Sequence, residues 1–287
     1  MDAEIIRFLR DISNPVFDWI FYIITQVGGE TFFIVVAAIL YWVINKKYAY
    51  KFVMAYLVIS GVNIGLKSIF KRPRPYTIDG ITPPFDYYTT GYSFPSGHAT
   101  SAGVLAFASY DGYKKFNKKW LLYVGITVAI LVPFSRMILA QHYLSDVLVG
   151  LLLSVFLSYF LFKWIDLLKD KEEILVLIAA PIILIIMFIS QTEDLFKAGG
   201  AFLGFALGYI IEKYYVKYEV KHKLGIQVLK VLIGFAGVLI LKEGLKLIFP
   251  DESFFHFIRY LLVGGWVAVV APLIFKHVFK HHEKEIS

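Results

Sequence analysis

Residues 120–165 read WLLYVGITVAILVPFSRMILAQHYLSDVLVGLLLSVFLSYFLFKWI. Two apolar runs, at 120–138 and 142–165, meet at a short polar turn, and the charged side chains among them are Arg136, Asp146 and Lys163. An apolar run of about 20 residues is the length at which an α-helix crosses the hydrocarbon core of a bilayer. A helix also satisfies its own backbone hydrogen bonds there, which an open strand does not. The stretch therefore reads as a membrane helical hairpin whose turn carries an arginine, a histidine and an aspartate.

The whole chain follows suit. Of its 287 residues 58% are hydrophobic, 17% aromatic and 18% charged, with a mean hydropathy of +0.66. Soluble domains carry about 25% charged residues, so this composition cannot cover a water-facing surface. It excludes a disordered chain, a collagen-like chain and a nucleic-acid-binding arm. What remains is an all-α polytopic membrane helix bundle. The net charge of +7 and the pI near 9.2 fit basic loops beside a bilayer, with no nucleic-acid partner required. There is no cysteine, so disulfide and thiolate chemistry are absent. The residues Met1-Asp2-Ala3-Glu4 lack the basic start of a signal peptide, so the first membrane helix is expected to direct insertion.

Ile5, Ile6, Leu9 and Ile12 recur at helical spacing among Arg7, Arg10 and Asp11, the pattern of a short interfacial helix over 2–12. Residues 15–27 are apolar but too short to cross, and read as a half-buried lead-in ending at Gly28-Gly29. Crossings are expected at 30–45, 49–70, 98–113, 120–138, 142–165, 173–190, 197–213, 225–248 and 256–276, nine in all. Alternate loops hold Lys46, Lys47 and Lys51; Lys114, Lys115, Lys118 and Lys119; Lys163, Lys169 and Lys171; Lys213, Lys217, Lys221 and Lys223; and Lys276, Lys280 and Lys284. That is 17 of the 29 basic residues on one side. The positive-inside rule makes that side cytoplasmic, with the N-terminus out and the C-terminus in.

The longest outside loop, 71–97, carries Pro73, Pro75, Pro83, Pro84 and Pro95 among six aromatic residues. Proline at that density makes a stiff, non-helical lid, and loops of this length in compact proteins are usually functional. Gly200, Gly204 and Gly208 repeat every four residues in one expected helix. Such a stripe lets another helix approach closely, either within the chain or across a homodimer seam. His256, His277, His281 and His282 read as interface or tail residues.

The chemistry gathers on the outside. The chain has six arginines against 23 lysines, and Arg72, Arg74 and Arg136 lie at outer helix ends near two histidines. An arginine fork binds phosphate oxygens two at a time, which lysine cannot do. Lys67 lies in the last turns of the second crossing, with Arg74-Pro75 on the loop beyond it. Pro95-Ser96-Gly97-His98 opens the third crossing, and the free N–H groups of a helix start, with Gly97 allowing close approach, form an oxyanion cradle. Ser135-Arg136 is followed by His142 and Asp146, four apart and so on one helix face. The carboxylate can take the proton on one ring nitrogen and leave the other as a nucleophile.

In order and spacing, these segments resemble the signature of the type 2 phosphatidate phosphatase superfamily, also called lipid phosphate phosphatases. That signature is K-x6-R-P, then P-S-G-H, then S-R-x5-H-x3-D. Here it stands as Lys67, Arg74-Pro75, Pro95-Ser96-Gly97-His98, Ser135-Arg136, His142 and Asp146. The resemblance covers about 60–150 and implies a catalytic core over 1–190. Residues 191–287 would add membrane helices that owe nothing to it. It implies that His142 attacks phosphorus, that Asp146 orients His142, and that His98 protonates the leaving group and then activates water. Lys67, Arg74, Ser96, Gly97 and Arg136 would hold the phosphate oxygens. No metal and no cofactor is implied, because three cations already neutralise the phosphate.

The function these expectations describe is a membrane phosphatase of the plasma membrane, with its site extracytoplasmic. Its partners are the bilayer and a lipid phosphate, undecaprenyl diphosphate first, with phosphatidylglycerophosphate and phosphatidate as other members of the class. A phosphatase of soluble sugar phosphates and a non-catalytic lipid-phosphate binder or transporter share parts of the pattern. The complete His98, His142 and Asp146 set argues against binding alone, which needs neither nucleophile nor acid.

Overall fold

In a computed structural model of the chain, residues 2–78 and 80–280 are described, and they are helical with no strand among them. His281, His282 and Lys284 lie outside the described residues. The helices are α1 (Asp2–Ile12), α2 (Pro15–Thr25), α3 (Glu30–Ile39), α4 (Lys46–Phe70), α5 (Gly97–Phe116), α6 (Lys119–Ile138), α7 (Leu144–Leu167), α8 (Glu173–Ser190), α9 (Glu193–Ile211), α10 (Leu224–Leu239), α11 (Leu245–Ile248), α12 (Ser253–Gly265) and α13 (Ala271–Val278).

Six helical spans among the described residues are long and apolar enough to cross a membrane. A seventh arises if Pro15–Gly28 and Glu30–Ile44, bent by 52° at Gly29, count as one span. Each of the nine expected segments is helical, but three fall short alone. Glu30–Ile44 is short, the apolar part of α8 is the 17-residue Glu173–Ile189, and α5 is too polar. The reason for α5 is burial: Thr100, Ser101 and Ser109 face protein and not lipid, so its composition need not be that of a lipid-exposed helix.

The chain divides into two compact units. The first comprises Met1–Phe33 and Val58–Leu161. Asn14 caps α2, its side chain accepting from the N–H groups of Val16 and Phe17, and Pro15 takes the first helical position, where its missing N–H costs nothing. Ser96 caps α5, and Asn117 ends it in the left-handed conformation. Glycines bring the helices close: a Cβ at Gly103 would stand 2.7 Å from the Leu151 oxygen, and one at Gly150 would stand 2.8 Å from the Ser96 oxygen. A core of Ile6, Leu9, Phe21, Ile81, Ala99, Ile138, Leu139, Tyr143 and Val147 lies beneath the turn from α6 to α7. The amphipathic α1 is thus folded onto the protein by Ile6 and Leu9, and Arg10 ties it to Asp18 at 2.6 Å and to the Ile138 oxygen at 3.0 Å.

The second unit comprises Ile34–Leu57 and Phe162–Ser287. The stripe of Gly200, Gly204 and Gly208 is filled by α12 and the turn after it, within the same chain. A Cβ at Gly204 would stand 2.1 Å from the Leu261 oxygen, and one at Gly200 2.2 Å from the Phe257 oxygen. Trp42 and Trp266 donate to the Val267 and Gly234 oxygens at 2.8 and 2.9 Å and so fix the ring packing around Gly234 and Gly237. Lysines from separate loops converge at one end of this unit. Lys46 pairs with Glu212 at 2.8 Å, Lys47 with Asp170 at 2.6 Å, Lys51 with Asp166 at 2.7 Å and Lys213 with Glu172 at 2.5 Å. His256, expected as an interface residue, is buried, with Arg259 at 2.7 Å on one ring nitrogen and Asp251 at 3.1 Å on the other.

Candidate active site

The first unit gathers the signature residues around His142. His142 sits in the turn between α6 and α7, 2% exposed, its backbone N–H donating to the Arg136 oxygen at 3.2 Å. Its Nε2 faces Arg74 Nη1 at 3.2 Å, and its Nδ1 faces Asp146 Oδ2 at 3.5 Å and Ser93 Oγ at 3.4 Å. Burial, and after it the charges of Arg74, Arg136 and Lys67, push the His142 imidazole well below the ordinary histidine range. The ring is therefore neutral at physiological pH. A guanidinium has no lone pair to offer, so Nε2 carries the lone pair and Nδ1 the proton.

Asp146, in the first turn of α7, is fully buried and well supplied with donors. It accepts from Arg72 Nη1 at 2.7 Å, from the Tyr143 N–H at 2.9 Å and from the Ser93 hydroxyl. Its own backbone oxygen accepts from the Ser96 N–H at 3.1 Å, which joins the start of α5 to the start of α7.

The cations converge from three elements. Arg74 is threaded through the lid, donating to the Thr90 oxygen at 2.7 Å, the Gly91 oxygen at 2.9 Å and the Gln141 oxygen at 3.1 Å. Lys67, near the end of α4, donates to the Tyr92 oxygen at 2.6 Å. Arg136 is 1% exposed and donates to Thr25 Oγ1 at 2.9 Å and to the Tyr87 hydroxyl at 3.2 Å, while its Nε has no partner. Every named partner of Arg74 and Arg136 is neutral. Among the described residues neither guanidinium has a carboxylate as a hydrogen-bond partner and Arg136 Nε has no partner at all, which leaves an unmet demand for an anion.

The start of α5 supplies the rest. The Ser96 hydroxyl accepts from the Ala99 N–H at 3.4 Å, so its own proton stays available to an anion. Beside Gly97 a Cβ would meet nothing closer than Asn63 Oδ1 at 3.9 Å, and this open space is what a bound oxyanion at the helix start requires. His98 lies in the first turn of α5, its ring within the electrostatic reach of Arg136, His142, Arg74 and Lys67. Lys67, Arg74, Ser96, Gly97, His98, Arg136, His142 and Asp146 are thus brought to one place. Among the described residues no group of three or more His, Asp or Glu is arranged to hold a metal ion.

Four residues that sequence reasoning did not assign to the site also belong to it. Ser93 bridges the Asp146 carboxylate and the His142 ring, and Arg72 grips Asp146. Thr25 holds Arg136, and Gly28 packs on His98, where a Cβ would stand 2.9 Å from the histidine Cβ. The supposed lead-in over 15–27 therefore forms one wall of the site. Only Arg72 carried a signal in the sequence, as one of few arginines. The rest lie far along the chain from their partners.

Two family models match the chain. One described as the PAP2 superfamily matches residues 47–170, and one described as the PAP2 superfamily phosphatase transmembrane extension matches 196–283. The second match falls within 191–287, beyond the reach of the signature resemblance. The undecaprenyl-diphosphatase BcrC of Bacillus subtilis (strain 168) is 28% identical over 193 residues, which span 64% of this chain and 94% of that protein. Phosphatidylglycerophosphatase B of Haemophilus influenzae is 26% identical over 199 residues, 52% of this chain and 82% of that one. The solved structure of a transmembrane PAP2 type phosphatidylglycerolphosphate phosphatase from Bacillus subtilis aligns with a TM-score of 0.49 and 26% identity, over 59% of this chain and 86% of that one. Core and C-terminal extension alike match models of one superfamily, and the chain belongs to it: it is an integral membrane member of the PAP2 superfamily.

Proposed function

We propose that the protein hydrolyses a lipid phosphate or diphosphate, with undecaprenyl diphosphate as the favoured substrate, through a phosphohistidine on His142. The observation that carries this reading is the pair of buried arginines, Arg74 and Arg136, whose hydrogen-bond partners among the described residues include no carboxylate, with Arg74 against Nε2 of His142. In the first step Nε2 of His142 bonds to phosphorus, the bond from phosphorus to the leaving oxygen breaks, and His98 gives that oxygen a proton. In the second, His98 takes a proton from water, whose oxygen displaces His142 and releases phosphate. Asp146 stabilises the charge on the imidazole through Nδ1. Lys67, Arg74, Arg136, the Ser96 hydroxyl and the Gly97 N–H stabilise the equatorial oxygens, where charge develops in phosphoryl transfer. These residues need no metal for that task.

The names of the relatives support a lipid diphosphate or phosphatidylglycerophosphate, and the match to the undecaprenyl-diphosphatase, which spans 94% of that protein against 82% for the phosphatidylglycerophosphatase, favours the former. The lysine-rich loops support a cytoplasmic C-terminus and an extracytoplasmic site in the plasma membrane. Helix α4 carries Lys46 and Lys47 at its start and Lys67 near its end, about 30 Å apart by helical rise. On this reading α3, α5 and α8 cross as well, making nine crossings in all.

Phosphate release in detergent from undecaprenyl diphosphate, phosphatidylglycerophosphate, phosphatidate and glucose 6-phosphate is the decisive assay. The lipids are expected to turn over, undecaprenyl diphosphate fastest, in EDTA and with inhibition by orthovanadate, which takes the five-coordinate shape of the transition state. His142→Ala is expected to be inactive yet folded. Turnover of the sugar phosphate alone would reject the lipid reading, and rescue of an EDTA-inactivated enzyme by magnesium or zinc would reject the metal-free one.

A further inference from the structure

We propose that Asp2, the first residue of α1, is a positioning residue of the site, acting through Arg72 on Asp146; this rests on the roles of His142 and Asp146 proposed above. Asp2 Oδ2 accepts from Arg72 Nη2 at 2.9 Å and from the Ser145 hydroxyl. On its other side the same guanidinium donates to Asp146 Oδ1 at 2.7 Å and to Ser145 Oγ at 2.6 Å. Its carbon stands 4.0 Å from the centre of the Tyr143 ring, which holds its plane. A rigid fork is thus gripped at both ends, and the rotamer of Asp146 is set from the amino-terminal helix.

Charge gives Asp2 a second effect. An arginine bonded to Asp146 alone would draw the carboxylate's charge away from His142, which must become cationic when phosphorylated. A second carboxylate on the same guanidinium divides its positive charge and leaves Asp146 more negative toward Nδ1. Burial works against ionisation of Asp2, but hydrogen bonds from Ser145 and Arg72 outweigh it and hold the carboxyl below its ordinary range. The helix that presents Asp2 is anchored by Ile6 and Leu9 in the core and by Arg10 on Asp18. Asp2 and the helix that presents it lie outside the signature segments.

The test uses the full chain in detergent with undecaprenyl diphosphate, reading kcat, KM and melting temperature. Asp2→Asn and Arg72→Gln are each expected to lower kcat about fivefold or more, with KM within about twofold. The double variant is expected to be no slower than Arg72→Gln, because Asp2 has then lost the group it acts through. Asp2→Glu recovers most of the rate, and Ser145→Ala, loosening the same carboxylate, lowers kcat in the same direction. A wild-type kcat in Asp2→Asn, or losses that multiply in the double variant, would overturn the proposal while wild type stays active. A wild type inactive on every lipid phosphate would overturn the functional reading and this one with it.

Discussion

Arg74 Nη1 stands 3.2 Å from Nε2 of His142, while Nδ1 of the same ring faces Oδ2 of Asp146 at 3.5 Å. The two ring nitrogens meet opposite charges, and this alone selects the tautomer: proton on Nδ1, lone pair on Nε2. Burial does most to keep the nucleophile unprotonated, and the cation that would grip a phosphate adds to it.

A histidine whose pKa is lowered on folding stays neutral as pH falls through about 6.5, its ordinary value, and takes its proton only well below that. The acid limb of kcat/KM that reports His142 in the free enzyme is therefore expected well below pH 6.5. Arg74→Gln removes a neighbouring positive charge, so the limb moves up toward the ordinary value while kcat/KM falls. A pH profile of each enzyme on a diphosphate substrate checks the sign, and a limb unmoved by Arg74→Gln counts against the assignment.

Gly28→Ala places a methyl group 2.9 Å from His98 Cβ and 2.8 Å from Val132 Cγ1. Overpacking of this kind costs about 1–3 kcal/mol, and the displaced acid lowers kcat about ten- to a hundredfold. Gly61→Ala is the comparison, since a Cβ there meets nothing within 4 Å. It should keep full activity and gain about 0.5–1 kcal/mol from helix propensity. Steady-state kinetics and thermal melting separate the two variants.

Thr25→Val removes the hydroxyl that accepts from Arg136 at 2.9 Å and leaves a second orphaned donor on a buried cation. The expected loss is about 1–3 kcal/mol, read as lower melting temperature in the empty protein. Because a bound oxyanion resupplies an acceptor, saturating orthovanadate should restore more stability to Thr25→Val than to wild type. Equal stabilisation of both proteins would detach Thr25 from the anion site.

Gly204→Ala should already disturb the close approach of α9 and α12, since its Cβ would lie 2.1 Å from a backbone oxygen that has no rotamer to yield. Gly204→Leu should destabilise further, beyond about 3 kcal/mol. The catalytic groups all belong to the first unit. Hydrolysis of a small water-soluble phosphate ester is therefore expected to change little in protein that remains folded, while melting temperature falls. Loss of small-ester turnover from a folded Gly204→Ala would mean that these helices shape the catalytic centre.

Single cysteines introduced into this cysteine-free chain test sidedness. A membrane-impermeant maleimide should label Tyr88→Cys in intact cells and spare Lys118→Cys until the membrane is opened. The opposite pattern places the chemistry on the cytoplasmic face.

Sequence alone determined the features whose cause is local. Apolar runs make helices because a backbone in hydrocarbon has no other partner for its polar groups. His142 and Asp146 are readable as a pair because four residues make one helical turn, and Ser96-Gly97-His98 as a cradle because any helix start leaves N–H groups free. The glycine stripe announced a close approach, though not that α12 of the same chain fills it. Tertiary structure alone decided whatever depends on a partner distant in the chain. Thr25 and Arg136 are 111 residues apart, and Arg72 and Asp146 are 74 apart. Gly28 matters only because His98 is folded against it, and the polar face of α5 is tolerated only because neighbouring helices bury it. Spacing along a chain encodes which side chains share a turn. It carries no record of which turns will touch, because that is set by how whole helices pack and by the volume left between them.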